Sequence, residues 1–192
     1  MRNYTMSKSS LELIEHLEQA MKLSTIGILC LFTTTLLTAE PAIFTQGEMT
    51  ISEGAVITDG SNSYFRDITL AYDGNGGLII TGANSMPLVQ VDSVDILVME
   101  SFPVQISAAV SGNLSMPCVQ LLDPAVSFMG NTFIVVLAES TSGPGESCIA
   151  LIEPFETSIP LDVLDLPAGT YTVDVNGVVS DFTLDVDNSS FN

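Results

Sequence analysis

Acidic side chains are the residues of this sequence that offer the most chemistry. Asp181, Asp185 and Asp187 recur at short intervals near the carboxyl end of a chain that has 23 acidic and four basic residues. Calcium is usually held by about six to eight oxygen ligands, several of them from carboxylates. We therefore predict these three aspartates as a candidate calcium site, and no other cofactor. The alternative interpretation is that the charges lie on an exposed strand and discourage pairing between sheets.

The side chains needed for most enzymatic mechanisms are missing beyond residue 39. The single histidine is His16, and the single basic residue beyond residue 39 is Arg66. Such a segment cannot build a Ser–His–Asp triad, bind zinc through imidazole or form a Schiff base through lysine. A pair of carboxylates acting on a glycosidic bond is the remaining catalytic alternative. We predict no catalytic residues and no enzyme activity.

The charge of the chain is one-sided and excludes several classes of partner. Three of the 23 acids and three of the four bases lie before residue 39, which leaves twenty acids and one base after it. A surface of this charge repels the phosphates of nucleic acids and the head groups of anionic lipids. We expect no nucleic-acid partner, and a protein or glycan partner instead.

The sequence before residue 40 has the features of a leader. Lys22 precedes an apolar run from Leu23 to Ala39, which has the length of a signal peptide and is marginal for a membrane span. Residues 21–39 are therefore predicted to be a signal peptide, or an uncleaved anchor. We expect the protein to be secreted or extracytoplasmic, or else anchored by residues 23–39, and to contact a membrane only through that segment.

The first twenty residues form an N-terminal extension to this leader. Their apolar positions have helical spacing, at Leu11, Ile14, Leu17 and then Met21. Either translation begins at Met21, or residues 1–20 form a short cytosolic helix ahead of an anchor.

Two of the three cysteines are expected to pair. Cys30 lies in the predicted leader, which leaves Cys118 and Cys148 in the exported chain. An even number of cysteines in an exported domain favours a disulfide. Closing this loop would stabilise the fold by about 3.5 to 4 kcal/mol in the loop-entropy description. Two free buried thiols are the alternative.

Apolar alternation with frequent turn residues predicts an all-β protein beyond residue 40. Ile68 to Tyr72 and Leu78 to Thr81 flank an Asp-Gly-Asn-Gly-Gly turn and predict a hairpin, followed by a linker over residues 81–90. From Val91 we expect about seven strands in about 100 residues, the size of an Ig-like antiparallel β-sandwich. The predicted domains are thus an N-terminal β segment with linker (40–90) and the sandwich (91–192).

Three features of the second half of the chain predict how the last strands of this sandwich are arranged. Pro154 and Pro160 restrict their segment to an edge strand, a bulge or a strand change. The Asn176-Gly177 step lies between alternating apolar runs and is the strongest short hairpin signal. Tyr171 opens the first strand of that hairpin, where a corner tyrosine is expected. The last strand is expected to contain a bulge or to start late, and the side chains predicted to face the core in it are Val179, Phe182, Leu184 and Val186.

Three stretches carry a resemblance to a known group of proteins. They are VDILVMESFPVQISAAVSGNL, GNTFIVVL and PFETSIPLDVLDLPAGTYTVDVNGVVSDFTL. From Val91 to Leu184 the chain resembles uncharacterised exported bacterial proteins with a single Ig-like β-sandwich. The resemblance implies a fold and an extracytoplasmic location, and it implies no chemistry.

Together these features predict a non-catalytic, extracytoplasmic β-sandwich protein that acts by binding or adhesion. One alternative is an Ig-like protease inhibitor that presents the loop TSGPGES, Thr141 to Ser147. The other is a structural spacer of the cell envelope.

Overall fold

The computed structural model describes residues 42–45, 47–58, 61–143 and 147–189. Residues 40–192 belong to one compact unit. The predicted N-terminal extension and the predicted signal peptide or anchor, with Cys30, lie outside the described residues. Within the described ranges, the chain forms no helix with the length and apolar character needed to cross a membrane.

The described residues form eleven β-strands in three hydrogen-bonded sheets. The strands are β1 (Ile43–Thr45), β2 (Glu48–Thr58), β3 (Ser61–Tyr72), β4 (Leu78–Met86), β5 (Gln90–Met99), β6 (Gln105–Leu114), β7 (Ala125–Met129), β8 (Thr132–Val136), β9 (Glu153–Leu161), β10 (Gly169–Val175) and β11 (Val178–Leu184). Their orders are β1-β2-β3-β4 in an N-terminal sheet, then β11-β10-β8-β7 and β5-β6-β9. The prediction of an all-β protein with an N-terminal β segment is confirmed.

The last two sheets form the predicted sandwich of seven strands around one apolar core. Alternate residues of β6 (Ile106, Ala108 and Val110) share a buried cluster with alternate residues of β10. Tyr171 and Phe182 lie opposite each other on β10 and β11, with ring centroids 5.4 Å apart. Fully burying each large apolar side chain stabilises the fold by about 1.5 to 3 kcal/mol. These strands therefore form wherever a period of two places apolar groups on one face.

One strand pair differs from the predicted antiparallel arrangement. β8 and β10 run parallel, with Phe133 opposite Val173, whereas the other pairs of the two sandwich sheets are antiparallel. Apolar alternation specifies which face of a strand is buried but not its direction, so the sequence pattern did not predict this pair. Pro154 and Pro160 lie in β9, at the edge of its sheet, as predicted.

The closing hairpin has the predicted turn but a different register. β10 and β11 are joined by Asn176 and Gly177, with φ values of 50° and 92°, as a tight hairpin turn requires. Pairing along the hairpin is regular from Val178 to Leu184, so neither the predicted bulge nor a late start of β11 is observed. The inward positions fall on odd-numbered residues of β10 and on even-numbered residues of β11. The predictions for Val179 and Val186 are wrong, because each side chain is 58% exposed.

The tyrosine predicted to mark a corner does so. The Tyr171 hydroxyl donates a hydrogen bond to the Pro167 carbonyl oxygen, at 2.7 Å. The ring lies in the core, and the bond fixes the turn that leads into β10. This combination of a buried ring and a tethered upstream turn is the one found at tyrosine corners of β-sandwiches.

The N-terminal sheet covers part of the outer face of the four-stranded sheet. Tyr64 of β3 is buried with Val136 and Ala138, at and just after the end of β8, in a second, smaller core. β4 continues to Met86, so the predicted linker over residues 81–90 is mostly strand. Gly, Asn and Ser in this stretch read as loop residues, yet the backbone pairs with β3, with a register shift near Thr69 that is typical of a β-bulge.

Tyr64 also joins the two parts of the fold through its hydroxyl group. The oxygen lies 2.7 Å from Oε2 of Glu53 on β2 and 2.9 Å from the Asp123 carbonyl oxygen, ahead of β7. Burial, together with the hydrogen bond to Glu53 and its charge, holds the pKa of Tyr64 well above its usual range. A neutral phenol therefore connects the N-terminal sheet to the sandwich.

We expect Tyr64→Phe to lower the free energy of unfolding by about 1 to 3 kcal/mol. The ring stays packed, but the hydrogen bond to a carboxylate is lost and the half-buried Glu53 side chain is left without this donor. Urea denaturation of both proteins measures the difference. Tyr72→Phe, at an exposed position on the same strand, is the control and should change little.

The same pair of proteins should differ in alkaline solution. The folded state keeps the Tyr64 proton at pH values where an unfolded tyrosine, with a pKa near about 10, releases it. The stability from this group is complete below about pH 10 and is lost as pH rises above it. The wild type should therefore lose stability above pH 10 more steeply than Tyr64→Phe. Identical pH dependence of the two proteins would contradict this role.

Candidate functional site

A cleft of about 770 Å³ opens between the N-terminal sheet and the four-stranded sheet of the sandwich. The end of β2 and the start of β3 form one wall, and β8 with the β10–β11 turn forms the other. The lining residues are Ile57, Thr58, Ser61, Asn62, Leu88, Met129, Ile134, Asp174, Asn176 and Gly177. The volume falls in the range of about 300 to 1,000 Å³ that ligand pockets occupy.

Asn176 positions one wall of this cleft. Its Nδ2 donates to the carbonyl oxygens of Leu137, at 2.8 Å, and Val89, at 3.0 Å, and its Oδ1 accepts from the Leu137 N–H at 3.0 Å. Leu137 follows β8 and Val89 precedes β5, so one side chain ties the closing turn to two other segments. The sequence predicted Asn176 only as a turn residue and missed this second role.

We expect Asn176→Gly to destabilise the protein by about 2 to 4 kcal/mol, although glycine suits the positive φ of the turn. The substitution removes three hydrogen bonds and leaves backbone groups of Leu137 and Val89 to find other partners. Guanidinium denaturation measures the loss. Asn75→Gly, in the exposed β3–β4 turn, is the control and should change stability little. A loss no larger at Asn176 than at Asn75 would show that Asn176 serves the turn alone.

The cleft combines apolar side chains with neutral hydrogen-bonding groups. Ile57, Met129 and Ile134 supply the apolar surface, and the polar groups are hydroxyls and carboxamides apart from Asp174. The Asp174 carboxylate accepts a hydrogen bond from the Gly177 N–H at 2.7 Å, which commits it to the turn. Among the described lining residues, these groups can bind and orient a ligand, and they do not combine a base, a nucleophile and an acid.

The structure separates the three aspartates predicted to bind calcium. Asp181 lies on β11 and accepts a hydrogen bond from the Thr172 hydroxyl at 2.7 Å, while Asp187 accepts one from the Ala168 N–H at 2.8 Å. Asp185 is exposed just after β11 ends. Among the described residues, no three acidic, histidine or cysteine side chains are grouped so that they could hold a metal ion. The calcium hypothesis gains no geometric support in that part of the chain.

The predicted disulfide is present. Cys118 and Cys148 are joined, with their Cα atoms 6.1 Å apart. The bond links the segment after β6 to the segment before β9. Each of these segments runs from one sheet of the sandwich to the other, so the disulfide joins two connections between the sheets.

We expect the Cys118→Ser, Cys148→Ser double variant to lose about 3.5 to 4 kcal/mol of unfolding free energy, because the unfolded chain regains the freedom of an open loop. Thermal unfolding of the oxidised wild type and the double variant measures the effect. Reduction of the wild type should reproduce it. A double variant as stable as the oxidised protein would contradict a stabilising role.

A surface loop and an exposed edge strand lie outside the cleft. The loop from Thr141 to Ser147, considered as an inhibitory loop, includes residues 144–146, which lie outside the described residues. Leu78, Ile79 and Ile80 are at least 50% exposed at the start of the edge strand β4. Nothing in the structure shows what covers this strand, so it carries no assignment.

Comparison with known proteins places the sandwich in a family. Residues 108–184 match the family model described as the ORF11 beta-sandwich domain. The "Uncharacterized 10.2 kDa protein in HgiCIIM 5'region" of Herpetosiphon aurantiacus is 34% identical over 91 residues, which are 47% of this chain and 94% of the relative. The chain belongs to the same family as this Herpetosiphon protein. No solved structure matches the chain.

The ORF11 β-sandwich domain begins within β6 and ends with β11. This match confirms the β-sandwich part of the resemblance inferred from the sequence, while export and Ig-like character stay predictions. The N-terminal sheet lies outside the matched residues. The cleft is therefore built by ORF11 domain residues such as Ile134 on one wall and by residues beyond the domain, such as Ile57, on the other.

Sequence reasoning also missed Asn188, which joins three segments at the other end of the sandwich. The side chain is 1% exposed. It exchanges hydrogen bonds with the backbone N–H and C=O of Val104, at 2.6 and 2.9 Å, and donates to the Val163 carbonyl oxygen at 2.9 Å. An asparagine after the last strand gives no periodic signal, so only the three-dimensional arrangement identifies it.

Proposed function

We propose that the protein is a non-catalytic binding protein of an extracytoplasmic compartment, and that the cleft between the N-terminal sheet and the sandwich holds its ligand. The observation that carries the proposal is the cleft itself. It has the volume of a ligand pocket, and its walls come from two packed parts of one chain.

The chemistry of the cleft favours an uncharged, extended peptide segment of a partner protein. Ile57, Leu88, Met129 and Ile134 provide surface for apolar side chains. The hydroxyls of Thr58 and Ser61 and the carboxamide of Asn62 provide polar groups for a peptide backbone. The net charge of −19 and Asp174 in the wall oppose an acidic segment. A peptide whose polar atoms are all main-chain amides meets these conditions.

The proposed compartment rests on the disulfide and on the sequence ahead of the fold. A disulfide such as Cys118–Cys148 persists in oxidising compartments and is rare in the cytosol. Residues 21–39 have the composition of a signal peptide or an anchor. The lack of histidine and lysine beyond residue 39 supports binding without catalysis.

The ligand class is tested by selecting a phage-displayed library of random peptides on the full-length protein. We expect the selected peptides to be poor in Asp and Glu. Ser61→Trp fills the cleft from an exposed position and should weaken binding at least about tenfold.

Ser158→Trp is the matched control, because Ser158 lies on the outer face of the other sheet. It should bind the selected peptides as the wild type does. Selection of acidic peptides, failure to select any, or equal binding by Ser61→Trp would each contradict the proposal. Fractionation that finds the folded protein in the cytoplasm would contradict the compartment.

A further inference from the structure

A second, smaller cavity contains a buried carboxylate. Its volume is about 180 Å³, and it lies where the start of β5 and the end of β6 meet the segment after β8. The residues that line it are Leu88, Val89, Gln90, Asn113, Leu114, Ser115, Glu139 and Ile152. It shares only Leu88 with the larger cleft, and the inference drawn from it goes beyond the function proposed above.

Glu139 is 4% exposed, and its Oε2 accepts a hydrogen bond from the Ser115 N–H at 2.8 Å. Its backbone is fixed as well, because the Glu139 N–H donates to the Pro87 carbonyl oxygen at 2.9 Å. A buried carboxylate is costly unless a positive charge or several donors compensate it. The fixed cation beyond residue 39 is Arg66, which pairs opposite Glu53 in the N-terminal sheet. No basic side chain lines the cavity, so among the described residues the Ser115 N–H is the donor that the structure shows for this carboxyl group.

Two carboxamides also line the cavity. Gln90 and Asn113 are directly opposite on β5 and β6. The side-chain nitrogens of both donate to Asp92, Gln90 at 3.2 Å and Asn113 at 2.6 Å. Each nitrogen keeps a second hydrogen, and the side-chain carbonyl oxygens are the acceptors that the two residues can offer a ligand.

Gly112 makes this close pairing possible. A Cβ atom at this position would collide with the backbone carbonyl oxygen of Gln90 and with the ring of Phe155. Only glycine allows β5 to approach β6 so closely beside the cavity.

We propose that this cavity binds the primary ammonium group of a short alkyl chain. The ammonium would donate its three hydrogens to the Glu139 carboxylate and to the side-chain carbonyl oxygens of Gln90 and Asn113. Leu88 and Ile152, which are 38% and 63% exposed, lie at the mouth and contact the alkyl carbons. A divalent metal fits less well, because Glu139 is the one carboxylate that lines the cavity and calcium requires about six to eight oxygens.

The test is a titration of the full-length protein with n-butylammonium chloride, followed through the Ser115 amide signal in nitrogen–proton NMR spectra. Because Ser115 donates to the carboxylate of Glu139, its signal should shift and saturate, with a dissociation constant of roughly millimolar order. n-Butanol has the same length without the charge and should cause no saturable shift. A saturable shift with n-butanol, or none with n-butylammonium, overturns the proposal.

Glu139→Gln keeps the acceptor for Ser115 but removes the charge, and it should weaken n-butylammonium binding at least about tenfold. Glu156→Gln removes the same charge from an exposed position on β9 and should leave binding unchanged. Ile152→Trp blocks the mouth while it retains Glu139, so it tests the site even if Glu139→Gln fails to fold. Wild-type binding by either cavity variant overturns the proposal.

The source of the ammonium group is distinguished with the methylamide of Nα-acetyl-lysine. Binding as tight as that of n-butylammonium indicates a lysine side chain of a partner protein. Binding of n-butylammonium alone indicates a free small amine. Ser61→Trp, which fills the larger cleft, should leave both titrations unchanged, so failure of the peptide-binding proposal and failure of this one are distinguishable.

Discussion

The carboxamide of Asn176 is the contact on which both the end of the sandwich and the cleft depend. Strand ends leave backbone groups outside the ladders, and buried groups of this kind must find partners. Asn176 supplies one acceptor and two donors to Leu137 and Val89, whose side chains belong to the core of the sandwich. Its position in a tight turn allows this, since a positive φ of 50° turns the side chain back over the sheet. The hydrogen bonds that close this end of the sandwich therefore also fix one wall of the cleft.

The sequence correctly predicted those structural elements that are determined by residues within a single segment. The Asn-Gly turn, the corner at Tyr171 and the edge strand with two prolines each depend on residues within one segment, and all were predicted correctly. The errors arose where another segment decides the outcome. β4 continues through Gly82 because β3 pairs with it, and Val179 faces outward because pairing with β10 sets the register. The parallel pair of β8 and β10 has no signature in either strand.

The candidate sites were less predictable than the fold, for the same physical reason. The cleft brings Ile57 near Ile134, and neither residue carries a chemical pattern that marks it. The aspartates near the carboxyl end were predicted to bind calcium because they are close in sequence. Asp181 and Asp187 instead accept hydrogen bonds from different parts of the chain. Glu139 is a single acid in an apolar segment, and its burial becomes evident only in three dimensions. For the residues beyond 39, composition alone nevertheless argues against chemistry that needs histidine or lysine.

The parallel pairing of β8 with β10 has a consequence for how the chain reaches this fold. Phe133 and Val173 lie forty positions apart in sequence yet side by side in the sheet, and β9 crosses to the opposite sheet between them. The hairpins β7–β8 and β10–β11 need only short turns, so they can form independently and early. Pairing β8 with β10 gains energy only after the long loop between them, which includes β9, has been closed. We therefore expect this pair to form later than either hairpin and to slow folding relative to a fold built from hairpins alone.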